Sequence, residues 1–393
     1  MRKQLEGSQA VAQAVATCHP GVICAYPISP QTHIVEALDD MVRKGEIPGC
    51  EFLNVESEFS AMSVAIGSSA TGSRTYTATA SQGLLFMVEA VYNASGLGLP
   101  IVMTVANRAI GAPINIWNDH TDTMSQRDSG WIQLYAQDNQ AAADLHVFAF
   151  RLAELVSMPV MVCMDGFVLT HAMEQIDVPE QEQSDAFLKA FVPRQKLDVD
   201  HPVSIGAMVG PEAFTEVRWL AHHKQLEALA AIPGLAEEFA KAFGRRAAGP
   251  NDCCGLVTDY FAEGSDTVVV ALGATIGTLE DTVDEMRADG ASIGVLGITS
   301  YRPFPTAVIR EKLKNAKRVV VLERAFAVGI GGVVDSDIRM ALGGLPIEQN
   351  TVVAGLGGRA ITRASLRDVL TKSINGEVEP LTFLDLNEGM IPA

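Results

Sequence analysis

Positive charge is what this 393-residue chain has least of: 29 Lys and Arg stand against 47 Asp and Glu, a formal net charge of -18. Such a surface repels phosphate backbones, so no nucleic-acid partner is expected. No run of eighteen apolar residues occurs, so no membrane span is expected. Residues 1–8 carry Arg2 and Lys3 but no apolar stretch behind them, which does not make a signal peptide, and the expected compartment is cytoplasmic. The six cysteines (Cys18, Cys24, Cys50, Cys163, Cys253 and Cys254) form no C-x-x-C pair and no Cys/His group with zinc spacing. Neither an iron–sulfur cluster nor a metal site is therefore expected within this chain. Cys163 lies in an apolar run and reads as a small core hydrophobe, whereas the adjacent Cys253 and Cys254 read as free thiols in a linker. Aromatics are few, at 6%, and charged residues amount to only 19%. What is present is a 48% hydrophobic content with 34 glycines, which fits closely packed α/β layers and argues against disorder.

Short apolar runs alternate with helical patterns in the first half. Strands are expected near residues 21–26, 51–55, 74–79, 100–105 and 159–164, and helices over 32–44, 60–69, 84–94 and 141–155. Continuous apolar strands between helices predict a parallel sheet covered on both faces. The rhythm breaks between about residues 174 and 250, where Pro, Gln, Glu and Asp cluster at 178–184 and two amphipathic helical stretches follow, at 212–230 and 235–243. This reads as a connecting segment that packs on its neighbours. A second α/β unit follows, with strands near 268–272, 291–299, 318–323 and 351–355 and helices over 278–289, 305–315, 334–342 and 361–374. The expected division is 1–250, including the connecting segment, and 251–393.

Four segments carry polar residues where strands give way to loops. Tyr26-Pro27-Ile28-Ser29-Pro30-Gln31-Thr32 follows a strand end, where open parallel sheets bind ligands, and Ser29 can present a hydroxyl or cap the next helix. Glu56-Ser57-Glu58 precedes a small-residue helix, either as chemistry or as acids favoured by the helix dipole. Thr79-Ala80-Ser81-Gln82-Gly83 joins a β-branched strand to a helix, with Ser81 as either a contact for a bound ring or an N-cap. Asn107-Arg108 ends a buried strand, and an arginine there can clamp a carboxylate through two parallel bonds or form a surface ion pair. Asn118-Asp119-His120-Thr121-Asp122 comes close behind, with Asp119 a possible cap.

In this order, and joined by Met164-Asp165-Gly166-Phe167 and Tyr301-Arg302-Pro303-Phe304-Pro305, these segments resemble the motifs of pyruvate:ferredoxin oxidoreductases and their 2-oxoacid:acceptor relatives, over nearly the whole chain. The resemblance is to the alpha, pyrimidine-binding subunit. It implies a transketolase-like pyrimidine-binding domain followed by a transketolase C-terminal-like α/β domain. It implies thiamine diphosphate shared with a beta subunit that holds the diphosphate and Mg2+. Pro27, Ile28, Glu58, Ser81 and Gln82 would contact the cofactor, and Ser29, Asn107 and Arg108 the substrate. Glu58, with Arg108 and Ser29, would be catalytic. A carboxyl beside a ring nitrogen favours the imino tautomer of the aminopyrimidine, which readies the thiazolium carbon for the 2-oxo group. Glu56 is the weaker candidate for that position. The implied reaction is coenzyme A-dependent oxidative decarboxylation, with iron–sulfur clusters in a ferredoxin-like subunit, a gamma subunit, and ferredoxin or a flavin/NAD subunit as acceptor. Pyruvate leads as the substrate. Ser29 where many relatives have threonine, and Phe59 where histidine or a small residue is common, leave a bulkier acid such as phenylglyoxylate as an alternative. A scaffold subunit with a degenerate site is the alternative outside enzymes.

Overall fold

The computed structural model describes residues 2–391. Its first sheet has seven strands in the order Ser300–Arg302, Ile132–Tyr135, Val160–Asp165, Ile101–Asn107, Thr75–Thr79, Val22–Ala25 and Glu51–Asn54. All pair in parallel except Ser300–Arg302, which comes from the second half of the chain and adds antiparallel to Ile132–Tyr135. The strands Thr75–Thr79, Ile101–Asn107, Ile132–Tyr135 and Val160–Asp165 are buried at every residue, because both faces of the sheet are covered, even where threonine or glutamine alternates with apolar residues as in Thr75–Thr79 and Ile132–Tyr135.

A second sheet has six strands, ordered Leu381–Phe383, Glu348–Val353, Arg318–Glu323, Thr267–Ala271, Ile293–Ile298 and Val257–Tyr260, with only Val257–Tyr260 antiparallel. Arg2–Glu6 forms a separate two-stranded ribbon with Met173–Asp177. The α/β class and the two parallel-sheet layers are those expected from sequence.

Two local expectations are corrected. The single helix expected over 84–94 is two helices, Ser81–Phe86 and Val88–Leu97, which meet at Met87. The two stretches at 212–230 and 235–243 are one helix, Phe214–Phe243, running through Pro233. A proline inside a helix costs about 3 kcal/mol. Ile232, Leu235, Phe239 and Phe243 are all buried on one stripe across it, and each such side chain returns roughly 1.5–3 kcal/mol, so packing outweighs the lost hydrogen bond. The helix end is fixed by Arg245, whose Nε and Nη2 each lie 2.7 Å from a carboxylate oxygen of buried Asp144. The motif Tyr301-Arg302-Pro303 lies at the junction of the two halves. Tyr301 is fully buried, meets Tyr135 edge-on and donates its hydroxyl to Asp337 at 2.8 Å.

Candidate active site

Each sheet has one place where successive connections leave a strand on opposite sides, and ligands of open α/β sheets bind in the crevice beyond the strand ends there. In the first sheet it lies between Val22–Ala25 and Thr75–Thr79: the chain leaves the former for Glu51–Asn54 on one side and returns to the latter on the other. The loop from Tyr26 to Gln31 and the turn from Ala80 to Gly83 emerge at this point. Gln31 is fully buried and ties the two together, its Nε2 donating to Tyr26 O at 2.9 Å and to Ala78 O at 3.3 Å.

Glu58 opens the helix Glu58–Ala70, whose N-cap Ser57 accepts from Ser60 N. Its carboxyl is turned inward and buried. Gly83 lies so close that a Cβ there would sit 2.7 Å from Glu58 Oε1 and 2.6 Å from Thr79 Oγ1. Glycine at this position is therefore a condition for keeping the Glu58 carboxyl open. The buried oxygens Thr77 Oγ1, Thr79 Oγ1 and Gln31 Oε1 have no hydrogen-bond partner among the described residues. Buried polar atoms are rarely left so. Glu56, by contrast, is exposed and accepts from Ser60 Oγ, a bond that draws its pKa below the usual value.

Asp122 joins this turn to the arginine. Its carboxylate, fully buried, accepts from Ser81 N (3.0 Å), Arg108 N (3.0 Å), Asn107 Nδ2 (2.8 Å) and Thr123 N (2.8 Å). No cation side chain pairs with it among the described residues, and burial, against those hydrogen bonds, pushes its pKa up to about 6. Ser81 is held at φ 49°, a left-handed conformation that costs a non-glycine residue about 1–3 kcal/mol and gathers at functional sites. It is not an N-cap: its hydroxyl bonds Ala109 O and Gln82 Oε1, and the capping position belongs to Ala80.

Arg108 is buried and spans two loops, with Nη1 donating to Ser29 O (2.9 Å) and Nε to Asn115 O (3.2 Å). The side-on fork through Nε is thereby taken, so the arrangement differs from a guanidinium with both edges free; Nη2 has no partner among the described residues. Burial lowers the Arg108 pKa from its usual range, partly offset by the Asp122 charge. Ser29 and Pro27 are exposed and Ile28 half-buried at the mouth. Gly166 lets this loop close on the strand ends, since a Cβ there would clash with Asn107 O and lie 2.6 Å from Pro30 Cγ.

The structure thus gathers Ser29, Glu58, Ser81, Gln82, Asn107 and Arg108 beyond the carboxyl ends of neighbouring interior strands. Gln31, Thr79, Gly83 and Asp122 lie in the segments read from sequence but have no role assigned there; Gln31 and Asp122 tie the loops together, and Gly83 leaves room for Glu58. An aspartate shortly after a capping-type loop looks like any other turn aspartate, and only its four donors distinguish it. Asp119 is more than a cap: it accepts from Thr121 N and also, through Oδ2, from Gly357 N in the second half (3.0 Å).

The second sheet's corresponding crevice, between Thr267–Ala271 and Arg318–Glu323, is filled from the first half. Asp165 Oδ2 accepts from Arg324 Nη1 (2.8 Å) and Ala274 N (3.1 Å), and Asp165 Oδ1 lies 2.6 Å from His120 Nε2. Burial pushes Asp165 up, but His120 and Arg324 pull harder and hold it at about 2.

Two parallel α/β sheets, with a polar crevice at the switch point of the first and a plugged one in the second, define a chain of the transketolase-like class. The chain belongs to the pyruvate flavodoxin/ferredoxin oxidoreductase family: residues 13–235 match its thiamine diphosphate-binding domain, and residues 265–366 match the pyruvate:ferredoxin oxidoreductase core domain II. It is 44% identical to a pyruvate synthase subunit PorA from Methanosarcina barkeri, over 98% of this chain and 97% of that one. It is 40% identical to that of Methanothermobacter thermautotrophicus, over 98% of each. Among solved structures, a 2-oxoglutarate:ferredoxin oxidoreductase from Magnetococcus marinus superposes with a TM-score of 0.72 at 19% identity, covering 95% of this chain and 65% of that one. A split-gene transketolase, described as an inactive beta4 tetramer, gives 0.55 at 14% identity, covering 96% of this chain and 100% of that one. At these identities the two structures speak for the fold.

The crevice residues fit the aminopyrimidine end of thiamine diphosphate: a buried carboxyl kept open by a glycine, beside buried hydroxyl and amide oxygens lacking partners. Among the described residues no helix is long and apolar enough to cross a membrane.

Proposed function

We propose that this chain is the pyrimidine-binding subunit of a pyruvate:acceptor oxidoreductase and that Glu58, Arg108 and Ser29 carry its part of the reaction. The observation that carries the reading is the buried Glu58 carboxyl kept open by Gly83, with unpartnered buried hydroxyl oxygens beside it, at the first switch point. Pyruvate comes from the relatives, which are pyruvate synthase subunits at 40–44% identity.

Thiamine diphosphate, when bound, supplies the electron sink for losing carbon dioxide from a 2-oxoacid. Glu58 would hold a proton at a ring nitrogen of the aminopyrimidine, and Gly83 leaves room for its carboxyl to do so. Ile28, Pro27 and Gln82 would bound the ring. Arg108 turns Nη2 toward the substrate carboxylate while its other nitrogens fix the Ser29 and Asn115 loops. Ser29 presents its hydroxyl beside the 2-oxo group, and Asn107 and Asp122 hold the arginine's backbone. The overall change is pyruvate plus coenzyme A plus two oxidised one-electron acceptors giving acetyl-coenzyme A, carbon dioxide, two reduced acceptors and one proton.

Activity on this reading needs partners. A beta subunit holds the diphosphate and Mg2+, and ferredoxin-like and gamma subunits complete the electron path through iron–sulfur clusters. The terminal acceptor is ferredoxin, with NAD through a flavin subunit as the variant. Large side chains at the rim of the crevice support a partner there: Tyr26, Leu53, Phe59 and Phe86 are 38, 42, 37 and 61% exposed. The test is coenzyme A-dependent viologen reduction by the copurified complex with a panel of 2-oxoacids. Preference for pyruvate is expected. Preference for a branched-chain or aryl acid such as phenylglyoxylate would overturn the substrate and point to Ser29 and Phe59, and silence with every acid in a cofactor-loaded complex would overturn the reaction.

A further inference from the structure

Away from the crevice, three residues from three separate elements converge. Glu6 ends the strand Arg2–Glu6, His33 lies in the first turn of the helix Thr32–Arg43, and His171 follows the strand Val160–Asp165 by six residues. Each is half-buried, and one ligand-type atom from each lies within 4.8 Å of the others. His33 Nδ1 is 2.6 Å from Glu6 Oε1, and the two imidazole rings lie with centroids 4.7 Å apart.

We propose that Glu6, His33 and His171 form a binding site for a divalent transition ion of the zinc type, with a further position open to solvent or substrate. Two imidazoles and one carboxylate are a zinc donor set, and a magnesium site would instead be built from oxygens. On a tetrahedron with bonds of about 2.1 Å the ligand atoms stand about 3.4 Å apart, so His33 and Glu6, now 2.6 Å apart, would part slightly to admit an ion between donors that all lie within 4.8 Å. The outer support of a metal ligand is already there. Thr170 is fully buried and its Oγ1 accepts from Phe167 N at 2.8 Å. The same oxygen lies 2.7 Å from His171 Nδ1. With that oxygen accepting from the ring as well, His171 keeps the lone pair on Nε2 for the ion, as ligating histidines commonly do. Phe167 packs between His171 and Trp117, its ring tilted by 47° and 46° to theirs with centroids 4.8 Å away on each side. An ion here pins the N-terminal ribbon to the helix after the Ser29 loop and to the loop after Asp165. Sequence spacing gave no sign of it, because the donors are far apart along the chain. The site does not depend on the proposed reaction.

The experiment is calorimetric titration of Zn2+ into the metal-free full-length chain carrying Cys253→Ser and Cys254→Ser, which removes the exposed and the half-buried thiol as competing ligands. One equivalent is expected to bind, with excess Mg2+ unable to compete. Affinity should fall at least about tenfold in His33→Gln and in His171→Gln, each checked for folding by far-ultraviolet circular dichroism. Glu6→Gln keeps the side-chain shape and serves where a histidine variant does not fold; it too should weaken binding. No uptake by the thiol-free chain at micromolar Zn2+, or uptake unchanged in folded variants, overturns the proposal and leaves Glu6 and His33 as an ion pair.

Discussion

The two sheets end in the same way and put that ending to different use. Ile101–Asn107 is followed by Arg108, and Arg318–Glu323 by Arg324, each arginine buried at a strand's carboxyl end. Arg108 spends its bonds on backbone carbonyls, with Nη2 unpartnered among the described residues, and the aspartate beneath it, Asp122, has no cation side chain among them and rises to about 6. Arg324 instead spends Nη1 on Asp165, which sits between it and His120 and falls to about 2. Glu323, beside it, gives its carboxylate to the N–H groups of Val333, Val334 and Asp335 at the start of a helix. One switch point is left with unpartnered oxygens; the other is closed by a side chain from the opposite half. Burial alone does not decide what a strand-end arginine does. The aspartate opposite does.

The largest effect should come from Glu58→Ala in the assembled complex: turnover lower by about 10²–10⁴-fold with subunit assembly intact. Near-normal turnover would favour a scaffold role and erase the functional difference between the sheets. Next, Arg324→Met leaves Asp165 without its guanidinium, and breaking a buried pair costs about 3–5 kcal/mol. The denaturation midpoint of the full chain should drop, with the pyruvate KM unchanged; an unmoved midpoint would mean that the second crevice is not a lock. Arg108→Ala should act the other way, raising KM by roughly ten- to hundredfold, from about 1.5–3 kcal/mol of lost charge-assisted bonding. A KM that stays put would remove the carboxylate contact.

The smallest effect concerns pH. Asp122 binds its proton more tightly folded (about 6) than at its ordinary 3.8. Its contribution to stability is therefore fully present below about 3.8 and is lost as pH rises through about 6. Activity should run opposite, rising through about 6 as the carboxylate gains capacity for the Ser81 and Arg108 N–H groups. Asp122→Asn should flatten both profiles in that window. Asp165, held at about 2, gives the contrary sign: its contribution is present above 3.8 and is lost only as pH falls toward 2.

The comparison also explains what could be read from sequence. Val160–Asp165 and Arg318–Glu323 announce themselves as unbroken apolar runs, because both faces of a parallel sheet are covered. Ser300–Arg302 is three residues long and pairs across the two halves, so no local pattern reveals it. Pro233 reads as a break and is overridden by the stripe that packs around it. At the site, Ser29, Glu58 and Arg108 stand in recognisable motifs, whereas Asp122, Gln31 and the Asp165–Arg324 lock are defined by partners distant in sequence. As strand-end residues alone Arg108 and Arg324 look the same, and only the motif around Arg108 separates them before the structure shows what each one faces.

The most direct test of the central claim is the rate of hydrogen–deuterium exchange at the thiazolium C2 of thiamine diphosphate bound to the assembled complex, compared between the native chain and Glu58→Gln. If Glu58 holds the ring proton as proposed, exchange should slow by at least about 100-fold with the cofactor still bound. Equal rates in the two would contradict the account and leave the buried carboxyl a structural feature of the first sheet.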